Sequence, residues 1–159
     1  MANNCETIKF RLELTAEYWD LPPKAEISID HVVKFDDEII NPTIIEFFHP
    51  LAFNQAHCLT IKRYNKAVNQ SIIDQGNVIK DQLFFISKIF IDGINIQNLI
   101  FHHGIFCPEY PTAWRAEQAK NNNILPKTIL GETCLGHNGT WSLTFDSPFW
   151  KFLIQEMGV

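Results

Sequence analysis

Histidine, cysteine and clustered acid are the residues of this 159-residue chain best suited to chemistry. Cys107 lies close to His102 and His103, a spacing from which a thiolate–imidazole pair can be built. Neither an orienting acid nor a helix N-terminus accompanies them, and no Gly-x-Ser-x-Gly elbow occurs. His49 and His57 flank a loop across which they could face each other, the beginning of a zinc site. His31 and His137 stand apart, His-x-x-x-His is absent, and satisfied structural histidines are the expectation. Cys5, Cys58, Cys107 and Cys134 make no Cys-x-x-Cys pair and match no zinc spacing, so they read as small buried hydrophobes. Asp36, Asp37 and Glu38 form an acidic loop, the one place where several oxygen ligands adjoin as calcium requires. Three adjacent acids on a turn are also commonly just solvated. Glycoside hydrolysis needs two acids facing across a cleft, and spacing pairs none here. With seven glycines the chain has neither a P-loop nor Gly-x-Gly-x-x-Gly.

Aromatic side chains offer binding rather than catalysis. Tyr18 and Trp19 stand in a proline-bounded loop beside Asp20. Tyr110 and Trp114 stand in a second irregular region, with Pro108 and Pro111 bracketing the tyrosine. Loops concentrate binding residues, and an exposed Trp or Tyr stacks on a sugar ring or anchors a protein partner. The competing reading is that these loops fold back and the rings cover the ends of the fold. Trp141 and Trp150 read as packing.

Composition narrows the classes further. The net charge of −5 and the scattered basic residues argue against nucleic acid, whose phosphates demand clustered Lys and Arg. The tightest group, Lys62, Arg63 and Lys66, falls at a strand end and reads as a solvated edge that discourages strand pairing. The start of the sequence has no basic segment followed by an apolar run, and no window approaches a membrane helix. The expectation is therefore a protein made and assembled in a cytoplasm, with no membrane partner and no cofactor.

The elements that must position these residues follow from periodicity. "TIKFRLEL" alternates, with Ile8, Phe10, Leu12 and Leu14 on one face, as a half-buried strand does. Pro22-Pro23 ends it in a loop. "AEISID", "HVVKF", "PTIIEFF" and "HCLTIKRY" are further strands, the last with Leu59 and Ile61 inward. "DQGN" is a turn centred on Gly76-Asn77. "QLFFISKIFID" reads as a long strand apolar on nearly both faces, as expected for the centre of a sandwich. Asp92-Gly93 is a hairpin turn from which "INIQNLIF" returns as a strand. A short helix runs over 113–120, capped by Thr112. In "GETCLGHNGTWSLTFDSPFWKFL", Asn138-Gly139 reads as a two-residue turn. Trp141, Leu143 and Phe145 then alternate as a strand, and Ser147-Pro148 opens a final helix that buries Phe149, Phe152 and Leu153. His137 then belongs to a structural closing unit. About eight short strands with little helix predict one all-β domain over 1–159, an antiparallel β-sandwich of jelly-roll type with a short helix near 113–120 and a C-terminal helix.

Two resemblances add to this. The run "IKFRLEL", "AEISID", "PTIIEFF", "HCLTIKRY" is similar to the strand plan of small β-sandwich carbohydrate-binding modules, with His57, Leu59 and Ile61 on the His-x-Leu-x-Ile strand. That resemblance implies a glycan site in which Tyr18, Trp19 or Trp114 stacks on a sugar while Asp36, Asp37 and Glu38 bind calcium or sugar hydroxyls. "KDQLFFISKIFIDGINIQNLI", "YPTAW" and "LGHNGTWSLTFDSPFWKFLIQEM" resemble segments of small proteins of large tailed phages. This second resemblance implies a non-catalytic capsid decoration, neck or tail accessory protein located in the virion. Its partners would be other virion proteins, in a homo-oligomer or multi-copy assembly, with Tyr110 and Trp114 as anchors. The expectation taken forward is the virion component, with the carbohydrate-binding module as the alternative.

Overall fold

The computed structural model describes residues 4–157, so the first three and last two residues of the 1–159 span lie outside it. Alternation dictates the first and longest strand, β1 (Cys5–Glu17). Ile8, Phe10, Leu12, Leu14 and Ala16 are all buried, and the charged residues between them point outward. The chain continues through β2 (Lys24–Ile29), β3 (Val32–Glu38), β4 (Thr43–Ala52) and β5 (Gln55–Tyr64). A 3₁₀ turn (Val68–Gln70) leads to a small hairpin of β6 (Ile72–Asp74) and β7 (Asn77–Lys80). Then come β8 (Leu83–Ile91), β9 (Ile94–Asn95), α1 (Gln97–His103), β10 (Ile105–Pro108) and α2 (Thr112–Lys120). The last elements are β11 (Ile129–Leu130), β12 (Cys134–Leu135), β13 (Gly139–Ser147) and α3 (Phe149–Met157).

Two antiparallel sheets form the body. One has the order β12-β8-β1-β4 with β9 paired to β8; the other runs β11-β10-β13-β5-β2-β3. The chain passes repeatedly from one sheet to the other, which is the jelly-roll pattern. Their inner faces share one apolar core. Phe10 of β1 meets Phe145 of β13 across the sandwich, 6.1 Å between ring centroids, and stacks on Phe47 at 5.3 Å. The all-β sandwich with a C-terminal helix is thus the observed fold.

Several local expectations are corrected. The segment after Asp92-Gly93 pairs for two residues and then becomes α1. Ile96, Leu99 and Ile100 are buried at helical spacing, and Asn95 Oδ1 accepts the Gln97 amide at 3.0 Å. The isoleucines favour a strand locally, but burial at i, i+3 and i+4 prevails. Strand β8 is interior to its sheet, with the long β1 on one side and the short β12 and β9 on the other, but it is not apolar on both faces. A bulge opposite Glu13/Leu14 leaves Ser87 and Lys88 exposed in succession, so Ile86 and Ile89 both point inward. The 75–76 turn is centred on Gln75 and Gly76, both at positive φ, one residue before the expected position. Thr112 is the first helical residue and Pro111 precedes it without a side-chain cap.

At the final helix, Glu6 supplies the cap. Its Oε1 accepts from Ser147 Oγ and from the Phe149 amide, each at 2.7 Å. Phe149 and Phe152 are buried as expected, but Trp150 is 61% exposed. It lies about 100° round the helix from Phe149, away from the buried face. Cys5 and Cys107 are exposed and Cys58 and Cys134 half-buried, all free. None is the fully buried hydrophobe expected, since Cys58 and Cys107 fall on outward positions of their strands.

Candidate functional site

Antiparallel pairing sorts the loops into two ends. At one end β1 finishes and β8 begins, with Glu17 opposite Leu83. There, too, Lys24 opens β2 opposite Tyr64 at the end of β5, and Gly139 opens β13 opposite Arg63 and Pro108. The loops 18–23, 65–82, 109–128 and 136–138 therefore gather at this end, and with them Tyr18, Trp19, Tyr110, Trp114 and His137.

A buried polar network holds them. Inward register on β5 runs His57, Leu59, Ile61, Arg63, and Arg63 is fully buried. Its guanidinium donates to the Leu135 carbonyl, to Gln82 O at 2.5 Å and to Gln82 Oε1 at 2.8 Å. Gln82 in turn donates to Leu21 O at 2.8 Å. One side chain of one sheet thus ties down the opposing sheet and the Trp19 loop. Burial pushes Arg63 down to about 10, so it stays charged at neutral pH. Lys66 Nζ donates to Asp81 Oδ1 at 2.7 Å and Gly136 O at 2.6 Å. Burial lowers the Lys66 ammonium more than Asp81 raises it. For Asp81, burial acts upward, but hydrogen bonds from Lys66, Ser71 and the Gln82 amide hold it below its ordinary value. The carboxylate gains from the pair, and the ammonium does not recover its full desolvation cost.

Asn138 is not a turn residue. Its side chain accepts the Lys66 amide at 2.8 Å and donates to Lys66 O at 3.2 Å, standing in for a strand partner. Gly139 already belongs to β13. The chain crosses between sheets here instead of forming a hairpin, because the preceding Cys134-Leu135 is paired to β8.

The expected anchors Tyr110 and Trp114 do come together, against His137. Its ring meets Tyr110 edge-on at 5.0 Å and lies 5.9 Å from Trp114. The Tyr110 hydroxyl donates to Pro126 O at 2.7 Å. Burial, then Lys66 and Arg63, lower the basicity of His137. Both aromatic rings are half-buried. Beside them, between α2 and the 123–127 segment, lies an open groove of about 370 Å³.

On the neighbouring loop Tyr18 and Trp19 are each 41% exposed. Trp19 Nε1 donates to Gln70 O at 2.9 Å, Gln70 Nε2 donates to Asp20 at 3.1 Å, and Lys80 Nζ stands 4.8 Å from the Trp19 ring centroid. The sequence missed Arg63, Lys66 and Asp81 as a unit. The solvated-edge reading fails: β5 lies between β13 and β2, Lys62 is exposed on its outer face but paired on both sides, and Arg63 is buried, its inward register available in the alternation.

Asp36, Asp37 and Glu38 are not a loop. They end the edge strand β3, paired with Glu26, Ala25 and Lys24 of β2, so alternation sends Asp37 to the face opposite Asp36 and Glu38. Asp36 accepts the Tyr64 hydroxyl, which pushes that phenol up to about 12. Among the described residues no group of three His, Cys, Asp or Glu is placed to hold a metal ion.

At the far end His57 is a strut. Its Nδ1 is 2.5 Å from Asp30 Oδ2 and its Nε2 2.8 Å from Ala52 O, while Asp30 Oδ1 accepts the Cys58 amide at 2.8 Å. Asp30 and His31 hold positive φ in the β2–β3 turn. His49 is buried nearby, its Nδ1 without a protein partner.

The fold and this network define an antiparallel β-sandwich with a preorganised loop end. No protein-family model matches the chain, and no curated protein matches it. Among solved structures, one described as "vCBM60 in complex with galactobiose" is similar to it. The likeness covers 85% of this chain and 96% of that one, at a TM-score of 0.49 and 7% identity.

Proposed function

We propose that the protein is a non-catalytic building block that works by binding other protein chains, a second copy of itself first, as an accessory component of a multi-copy particle. The tailed-phage virion is the particle this reading names. One observation carries it: the β6–β7 hairpin stands off the sandwich with every residue of both strands exposed. Ile73, Val78 and Ile79 are 65%, 60% and 58% exposed. A lone two-stranded ribbon is marginal in water, and its open edges template further pairing. Two copies joined antiparallel along β7 would set Val78 against Ile79 and Asn77 against Lys80, a self-complementary two-fold contact. Hydrogen exchange tests this. The amides of 72–80 should become protected as protein concentration rises; fast exchange at every concentration would rule the contact out.

The second reading is glycan recognition, favoured by the exposed Tyr18 and Trp19 on a loop tied down by Gln70 and Gln82. Trp114 is half-buried and packs against His137, so Tyr18 and Trp19 present more ring area in this reading. Glycan-array binding lost in Trp19→Ala would support this reading, and an array with no bound glycan would remove it.

A further inference from the structure

The loop-end groove has a chemistry of its own. Arg115 and Ala119 lie one helical turn apart on α2 and face it; Lys127 lines the opposite side. Both cations are exposed, and neither takes part in an ion pair among the described residues. In a chain of net charge −5 this is a local basic spot left uncompensated. Between the cations the lining is apolar, from Pro108 and Leu125, with the Asn123 amide beside it. Two hydrogen bonds restrain the walls. Tyr110 holds the far segment through Pro126 O, and Asn123 Nδ2 donates to Gln118 Oε1 at 2.7 Å, so little ordering entropy remains to be lost on docking.

We infer that this groove binds a short acidic peptide segment of a partner protein, with carboxylates on Arg115 and Lys127 and one aliphatic side chain seated between them on Pro108 and Leu125. The inference rests on the reading of the protein as a protein-binding building block. Charge complementarity selects the acid. The aliphatic lining selects a peptide over a sugar, because the one ring in the groove, Tyr110, is already engaged by His137 and Pro126. Two cations also fall short of tracking a nucleic-acid backbone.

The probe is a fluorescein-labelled peptide, Asp-Glu-Leu-Glu-Asp, followed by anisotropy against its uncharged isostere Asn-Gln-Leu-Gln-Asn. The acidic peptide should bind roughly tenfold or more tightly than the isostere, and the difference should shrink as salt rises. The double variant Arg115→Glu/Lys127→Glu should weaken binding by a similar factor with an unchanged melting temperature. Arg115→Gln/Lys127→Gln serves if the reversal disturbs folding. Absence of binding, equal binding of both peptides, or full binding by a folded charge variant would each overturn the inference. Ile73→Asp/Ile79→Asp in the hairpin should leave peptide binding intact. Loss of self-association in that variant with retained peptide binding would separate the two sites, so failure of one claim is read apart from failure of the other.

Discussion

Arg63 shows what a single residue does here. The guanidinium in the core makes no ion pair within 4 Å among the described residues; its two terminal nitrogens donate to the Leu135 and Gln82 carbonyls and the Gln82 side chain, while Nε is buried without a partner. Arg63→Ala should therefore strip hydrogen bonds from a charged donor and leave Leu135 and Gln82 carbonyls buried without partners, at a cost of about 3–5 kcal/mol in urea unfolding. Gly139 is equally constrained. It holds φ 154°, and a Cβ there would lie 2.8 Å from Pro108 Cα and 2.9 Å from the Phe106 ring, besides meeting the Cys107 carbonyl. Gly139→Ala should cost about 2–4 kcal/mol by the same measurement. Titration adds a pH term. Burial, with Lys34, lowers His49 from 6.5, and burial, with Lys66 and Arg63, lowers His137 likewise. The unfolded chain takes up these protons first, so stability is full above about 6.5 and falls as pH drops through the lower folded values. Unfolding curves between neutral pH and pH 5 should show that fall, and His49→Gln with His137→Gln should flatten it. Asp30 acts in a more acidic window. Burial raises it, but His57 and the Cys58 amide together hold it below 3.8, so its share is lost as pH falls beneath that value.

At the scale of elements, alternation was legible wherever one strand face is buried. β1, β2, β5 and β13 follow from Ile8 to Leu14, Ala25 to Ile29, Leu59 to Ile61 and Trp141 to Phe145. It failed where another element decided the outcome. The helix α1 has strand-prone isoleucines and becomes helical because Ile96, Leu99 and Ile100 reach the core together. The cap of α3 comes from Glu6, at the other end of the sequence, which no local motif contains. Glu6→Ala should cost about 1–2 kcal/mol of global stability and fray α3 first, a loss visible as faster exchange of the Phe149 amide. The acidic run 36–38 has the charge of a turn, yet pairing with β2 keeps it extended at an edge. The β6–β7 hairpin makes its own prediction. Replacing 72–80 by a short Gly-Ser turn should shift the melting temperature little, because Ser71, Asp81 and Gln82 remain as anchors. Self-association should disappear with the hairpin.

Across the whole molecule, both ends of the sandwich are tied by side-chain hydrogen bonds, and the proposed binding features fall at one of them. The far end is stitched by His57, Asp30 and Glu6. The loop end collects the half-buried Tyr110–His137–Trp114 cluster, the Trp19 loop, the basic groove and the protruding hairpin; Arg63 and Lys66 fasten the segments at 81–82 and 135–138 beside them. The sequence could place aromatics in loops, but it could not show that four separate loops meet at one end, since that depends on the register of strands far apart in the chain. The most direct measurement of the account is molar mass by light scattering after gel filtration, over a range of concentrations. A defined oligomer is expected, unchanged by calcium and reduced to monomer by Ile73→Asp/Ile79→Asp. A wild-type monomer at every concentration would contradict self-assembly through the hairpin.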